Sequence, residues 1–232
     1  MSKRILRLFL FIAISAAHLN FGVASAEELI SFSVGKNTHK LELPPNYCDA
    51  SDTAWGNWYS KFLLDLGQGA GGDPKVLLVL SNCEFTSGTT ANLSPSSWGY
   101  LAYDNQLPQY WFGQRSLNKR LRNALQESSA EFADFEQAME LTRHRLQVLS
   151  KGLRFGEVRP TGEYQESAAG FLSSALTNVE TETQKQEVYL SAVSFLRSRR
   201  IVTLTIYMPT DNLTALNQMK KSVTSFLTSL EN

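Results

Sequence analysis

Cysteine and histidine are scarce in this chain, with two of the first and three of the second in 232 residues. A metal centre built from His, Cys and carboxylates therefore has little to draw on, and neither H-E-x-x-H nor C-x-x-C occurs. No G-x-S-x-G marks a hydrolase elbow. The glycine-rich run G-Q-G-A-G-G-D at 67–73 lacks the Gly-Lys-Ser/Thr of a phosphate loop and leads into a strand, which argues against nucleotide binding. An excess of one charge is missing too: 22 basic residues balance 22 acidic ones. That balance argues against nucleic acid or anionic lipid as the main partner. Finally, no apolar run reaches the roughly 20 residues that span a bilayer.

The longest such run, Leu8 to Ala17, follows the basic start M-S-K-R-I-L-R and precedes Ala24-Ser25-Ala26, so the first 26 residues read as a secretory signal peptide cleaved after Ala26. Its loss removes Lys3, Arg4 and Arg7 and no acidic residue, leaving a mildly acidic mature chain. The expected location is the periplasm or the extracellular space, with no stable membrane span after cleavage. In an exported chain Cys48 and Cys83 are expected to pair as a disulfide.

The run Val76 to Leu80 is apolar without alternation, which predicts a strand covered on both faces and central in its sheet. Before it, Leu29 to Val34 and His39 to Leu43 flank Gly35-Lys36-Asn37 as a β-hairpin. Asp49, Ser51 or Asp52 can cap a helix carrying Trp55, Trp58, Tyr59, Phe62, Leu63 and Leu66 on one side, with Gly67 closing it. The polar stretch after Cys83 reads as a surface loop, and Trp98 to Tyr103 as a short strand. Leu117, Leu121 and Leu125, then Phe132, Phe135, Met139, Leu146 and Leu149, predict a helical hairpin over about 116–151. Four Val-, Ile-, Thr- and Tyr-rich segments between Leu153 and Met208 follow as an antiparallel meander. Asp211 can cap a last helix whose stripe is Leu213, Leu216, Met219, Val223, Phe226, Leu227 and Leu230. That helix is expected to lie on the sheet near the central strand. The fold class is thus α+β, one domain over residues 27–232, with a mostly antiparallel sheet flanked by helices and an inserted helical hairpin.

The opening V-G-K-N-T-H-K-L-E-L-P-P-N-Y and the closing R-R-I-V-T-L-T-I-Y-M-P with its following helix resemble the α/β/α sandwich of PsbP/Mog-type proteins, a layout shared by DcrB-like periplasmic domains. The resemblance covers about two thirds of the mature chain, and the segment from Ser116 to Lys151 departs from it. It implies an accessory or protein-binding module rather than a catalyst, and carries over no active-site residue.

The residues themselves leave three functional readings. All four tryptophans fall between positions 55 and 111, and Trp98, Tyr100, Tyr103, Tyr110, Trp111 and Phe112 crowd one stretch. Exposed together, those six anchor a protein partner or stack on a glycan or small ligand; otherwise they fill the core, as Trp55 and Trp58 on a helical stripe are expected to do. The first reading is therefore an exported, non-catalytic protein-binding module with a protein partner, no cofactor and no metal. The second is a glycan- or small-ligand-binding protein using the same aromatics. A cofactor-free hydrolase is the third, and requires His39 or His144 beside a serine or an acid. The basic tip Arg197, Ser198, Arg199 and Arg200 is either a solvated turn or a contact for an acidic partner.

Overall fold

A computed structural model describes residues 29–69, 71–87, 95–107, 109–127, 154–156, 158–180 and 185–231. The expected leader, most of the helical insert beyond residue 127, and His144 lie outside them.

In chain order the elements are β1 (Leu29–Val34), β2 (Asn37–Glu42), β3 (Tyr47–Asp49), α1 (Ala54–Gly69), β4 (Pro74–Asn82), α2 (Cys83–Ser87), β5 (Trp98–Asp104), α3 (Gln114–Glu127), β6 (Arg154–Phe155), β7 (Arg159–Glu166), β8 (Phe171–Glu180), β9 (Lys185–Arg197), β10 (Arg200–Pro209) and α4 (Leu213–Ser229). β1 and β2 form their own two-stranded ribbon, with Gly35 in the turn at φ +63°, a left-handed conformation that costs glycine nothing. The other eight strands make one antiparallel sheet in the order β3-β4-β5-β10-β9-β8-β6, with β7 also paired to β8. The fold is accordingly α+β, with a mostly antiparallel sheet and four helices.

Alternation along β10 sorts the two faces. Val202, Leu204, Ile206 and Met208 join Leu78, Leu80, Leu101, Val193 and Phe195 in the principal core, beneath Met219, Val223, Phe226, Leu227 and Leu230. Each fully buried side chain of this size contributes roughly 1.5–3 kcal/mol, so the stripe fastens α4 to the sheet. Helix α4 lies across β8, β9 and β10, while Phe32, Val34, Leu41 and Leu43 of the ribbon extend the same core. Leu213 departs from the expected stripe: it is the first residue of α4 and stands 70 % exposed. On the opposite face Tyr59, Phe62 and Leu63 of α1 pack on Val79, and Val76, Trp98 and Tyr100 complete that cluster.

The apolar run of β4 is covered on both sides, by Leu78 and Leu80 in one core and Val79 in the other. It is not central, however. β3 pairs with only three of its residues, so β4 is the last full-length strand on that side, and β10 and β9 hold the middle. Two-sided burial here reflects a helix on one face and the ribbon on the other. Cys48 at the end of the chain's approach to α1 and Cys83 just after β4 form a disulfide with a Cα–Cα distance of 4.9 Å. Beside it the Ser97 hydroxyl donates 2.6 Å to Tyr47 Oη, and burial pushes the Tyr47 hydroxyl up to about 12.

Helix boundaries differ from expectation in instructive ways. Thr53 caps α1: its hydroxyl accepts from the Gly56 N–H at 2.9 Å. Asp49 accepts from the Ser51 N–H instead, and Ser51 Oγ accepts from the Val79 N–H of β4. Gly67 does not end α1; it lies inside the helix, where a Cβ would come within 2.2 Å of Pro74 Cγ. At α4 the cap is Asn212, whose side chain accepts from the Ala215 N–H, rather than Asp211. After Cys83 the expected loop begins as the short helix α2.

Candidate functional site

The six aromatic residues of 98–112 divide between two environments. Trp98 and Tyr100 point to the α1 face of the sheet, where both stack on Tyr207, at centroid distances of 5.7 and 6.3 Å, and Tyr59 meets Tyr100 at 6.4 Å. Tyr103, on the other face, packs against the principal core. All three are half-buried. Burial pushes the hydroxyls of Tyr59 and Tyr207 well above the ordinary phenol range, and the neighbouring Tyr100 hydroxyl, itself able to ionise, adds to both effects. The Tyr59 hydroxyl finds no hydrogen-bond partner among the described residues.

Tyr110, Trp111 and Phe112 belong to a different place. They follow β5 across the end of the sheet and meet the tight turn between β9 and β10, where the Tyr110 N–H donates 2.7 Å to the Arg199 carbonyl. Trp111 is 82 % exposed, the most exposed large apolar side chain among the described residues. The Arg199 guanidinium lies 3.9 Å from the centre of its ring. Tyr110 and Phe112 contact each other at 4.8 Å, and Arg120 from the first turns of α3 sits 4.5 Å over Phe112. Gln114 secures α3 to the same end by donating to the Ser194 carbonyl and accepting from the Leu196 N–H at 2.8 Å.

The turn itself is unusual. Arg197 pairs with Arg200, so Ser198 and Arg199 are its two central residues, and both have positive φ, +48° and +64°. Such a turn suits the twist of a hairpin but is ordinarily filled by Asn and Gly, since a Cβ in the left-handed region costs roughly 1–2 kcal/mol per residue. Contacts from two other segments compensate. Asn37 Nδ2 donates 2.9 Å to Ser198 Oγ, and His39 Nε2 lies 2.8 Å from the same oxygen. Arg200 Nη1 donates to the carbonyls of Asn105 and Leu107, and its guanidinium stands 5.4 Å over Tyr103. Three stretches distant in sequence thus converge on the rim: the β1–β2 ribbon, the β9–β10 turn, and the segment from 105 to α3.

His39 is the one described histidine, and it does stand beside a serine. Burial, and then the Arg197 cation, lower its pKa. Among the described residues no carboxylate orients its ring as a triad acid would, and no three of His, Cys, Asp and Glu gather as metal ligands. Burial also lowers the pKa of Arg197, which covers the Phe195 ring at 5.0 Å.

The basic turn and the aromatic stretch were both visible in the sequence, but nothing there joined them, because Arg200 and Asn105 lie 95 positions apart. The stacking of Arg120 on Phe112 is likewise visible only once the fold closes. No helix of the described residues is long and apolar enough to cross a membrane. No protein-family model matches the chain, and no curated protein matches it.

Proposed function

We propose that this protein is an exported, non-catalytic accessory module that works by binding another protein through the rim formed by Tyr110, Trp111, Phe112 and the β9–β10 turn. The observation that carries this reading is Trp111, held open to solvent by an arginine instead of being folded under the sheet. Tryptophan and arginine are the residues on which interface energy most often concentrates. The disulfide supports an oxidising compartment, periplasmic or extracellular. The pattern-level likeness to PsbP/Mog-type sandwiches points to the same accessory class.

A photo-crosslinking amino acid placed at position 111, in the exported protein in its native host, tests the proposal. One defined protein adduct, absent when the probe stands on the exposed β7 surface at Gln165, is the expected result; no adduct at 111 sinks it. The free face of Trp111 also suits a sugar ring, so tryptophan fluorescence titrated with oligosaccharides separates the glycan-binding alternative: saturable quenching favours it over the protein-binding reading.

A further inference from the structure

Five cations elsewhere among the described residues are matched to carboxylates: Lys75 to Asp73, Arg122 to Glu166, Arg159 to Glu187, Lys185 to Glu180 and Lys220 to Glu163, all at 3.2 Å or less. The rim is distinguished by stacking: four arginines gather there on aromatic rings, whereas elsewhere Lys220, over Tyr189 at 4.4 Å, is also paired with Glu163. Arg120, Arg197, Arg199 and Arg200 each cover an aromatic ring, at 4.5, 5.0, 3.9 and 5.4 Å, and none forms an ion pair with a described carboxylate. Two acidic side chains in contact with the start of the 105–112 segment, Asp73 and Asp104, are engaged: Asp73 by Lys75 and Asn105, Asp104 by the Asp73 and Gln106 N–H groups. Arg197 and Arg200 each commit Nη1 to backbone carbonyls, of Leu196 and of Asn105 and Leu107, which leaves their remaining N–H groups. Stacking fixes the guanidinium planes of Arg199 and Arg120 over their rings, and a guanidinium so held can receive a carboxylate with two parallel hydrogen bonds along its edge. Beside these edges lie two exposed apolar side chains, Leu107 at 44 % and Trp111.

Resting on the protein-binding reading above, we infer that the rim takes a short acidic segment of the partner, its carboxylates on Arg199, Arg200 and Arg120 and an apolar side chain against Leu107 and Trp111. A protein fits better than another polyanion. Nucleic acid and anionic membranes recruit through a broad positive field, and this chain carries equal numbers of basic and acidic residues, so its positive charge is local. Apolar neighbours among the arginines likewise match a mixed acidic and hydrophobic peptide.

The test uses the exported full chain with its disulfide intact, and four probes: a fluorescent Glu- and Asp-rich peptide carrying one Leu and one Trp, its Gln and Asn counterpart, a DNA duplex, and phosphatidylcholine vesicles containing phosphatidylserine. Saturable binding of the acidic peptide alone is expected, weakened at least about tenfold by Arg199→Gly and by Trp111→Ala, with thermal midpoints preserved. Arg199→Gly is the informative variant, because glycine is at home at φ +64° and the turn keeps its shape. The inference is overturned if the amide peptide binds equally, if the acidic peptide does not bind, if DNA or vesicles displace it, or if both variants bind as the parent does. Its failure stays separable from that of the broader reading: an adduct at position 111 mapped to a partner segment without carboxylates removes the acidic specificity and leaves protein binding standing, whereas no protein adduct removes both.

Discussion

His39 Nε2 lies 2.8 Å from Ser198 Oγ and so joins the N-terminal ribbon to a turn 159 positions away. Asn37 donates to the same oxygen, and a neutral imidazole can complete the contact as donor or acceptor according to its tautomer. Burial and the neighbouring Arg197 cation both oppose protonation, so the folded-state pKa is below the ordinary 6.5. The unfolded chain then takes up a proton before the folded one does. Stability is fully present above pH 6.5 and declines as pH falls from there through the lowered folded-state value. Thermal melts should show this decline, and His39→Gln should flatten it; an unchanged pH profile in the variant would place the titration elsewhere.

A second acid-sensitive contact is expected at lower pH. Tyr189 Oη donates 2.6 Å to Glu163 Oε2, and Lys220 Nζ donates to the same oxygen at 3.0 Å. Those hydrogen bonds, the tyrosine's first, hold the Glu163 carboxyl below its ordinary 4.5. Its contribution is present above pH 4.5 and lost as pH falls through the lowered value, separate from the His39 window. Glu163→Gln should remove the lower step alone, as read by denaturant unfolding between pH 5 and 3, a range chosen around the ordinary carboxyl value of roughly 4.

Two tryptophans thirteen positions apart should behave oppositely. Trp98 stacks on Tyr207 at 5.7 Å inside the sheet's packing, so Trp98→Ala should cost about 3 kcal/mol through lost contacts and an unfilled space. Trp111→Ala removes an exposed ring and an exposed cation–π contact, worth about 0.5–1 kcal/mol. Equal losses in urea would mean that Trp111 also supports the core.

Arg199→Gly should leave the protein as stable as the parent or slightly more so. Relief of a left-handed Cβ, about 1 kcal/mol, offsets the lost stacking on Trp111. A drop of several degrees in the melting midpoint would instead assign the arginine a structural role.

Reducing the Cys48–Cys83 bridge releases a loop of 35 positions that contains α1 and β4. In the chain-entropy account this costs about 4 kcal/mol, seen as a lower denaturant midpoint in dithiothreitol and in a Cys48→Ser, Cys83→Ser variant alike. Coincident unfolding curves with and without reductant would contradict it.

The elements themselves were legible because their signals are local. Alternation in Val202 to Met208 and the three-and-four spacing of Met219, Val223 and Phe226 each identified the face that is now buried. Strand order was not. A run such as Val76 to Leu80 reports that both faces are covered, which is equally true of a strand one place from the edge. Caps slipped by a residue or more for a related reason: Asp211 and Asn212, or Asp52 and Thr53, are all competent acceptors, and the path of the chain decides which one faces the free N–H groups. Half of the aromatic stretch lies in β5, which carries Trp98, Tyr100 and Tyr103 into the sheet as half-buried side chains. The rim formed by the other half depends on β10 lying next to β5, a pairing between strands about a hundred positions apart.

That same pairing governs how the molecule can be assembled. β10 is inserted between β5 and β9, so in a chain growing from its N-terminus the flank of residues 98–104 waits unzipped until residues 200–209 have emerged. During that interval the early strands have their own crosslink, the first helix and the β1–β2 ribbon to shelter them, but not the last helix. Maturation should accordingly be slow and governed by the arrival of the last strand, with the interim species the one most in need of a chaperone.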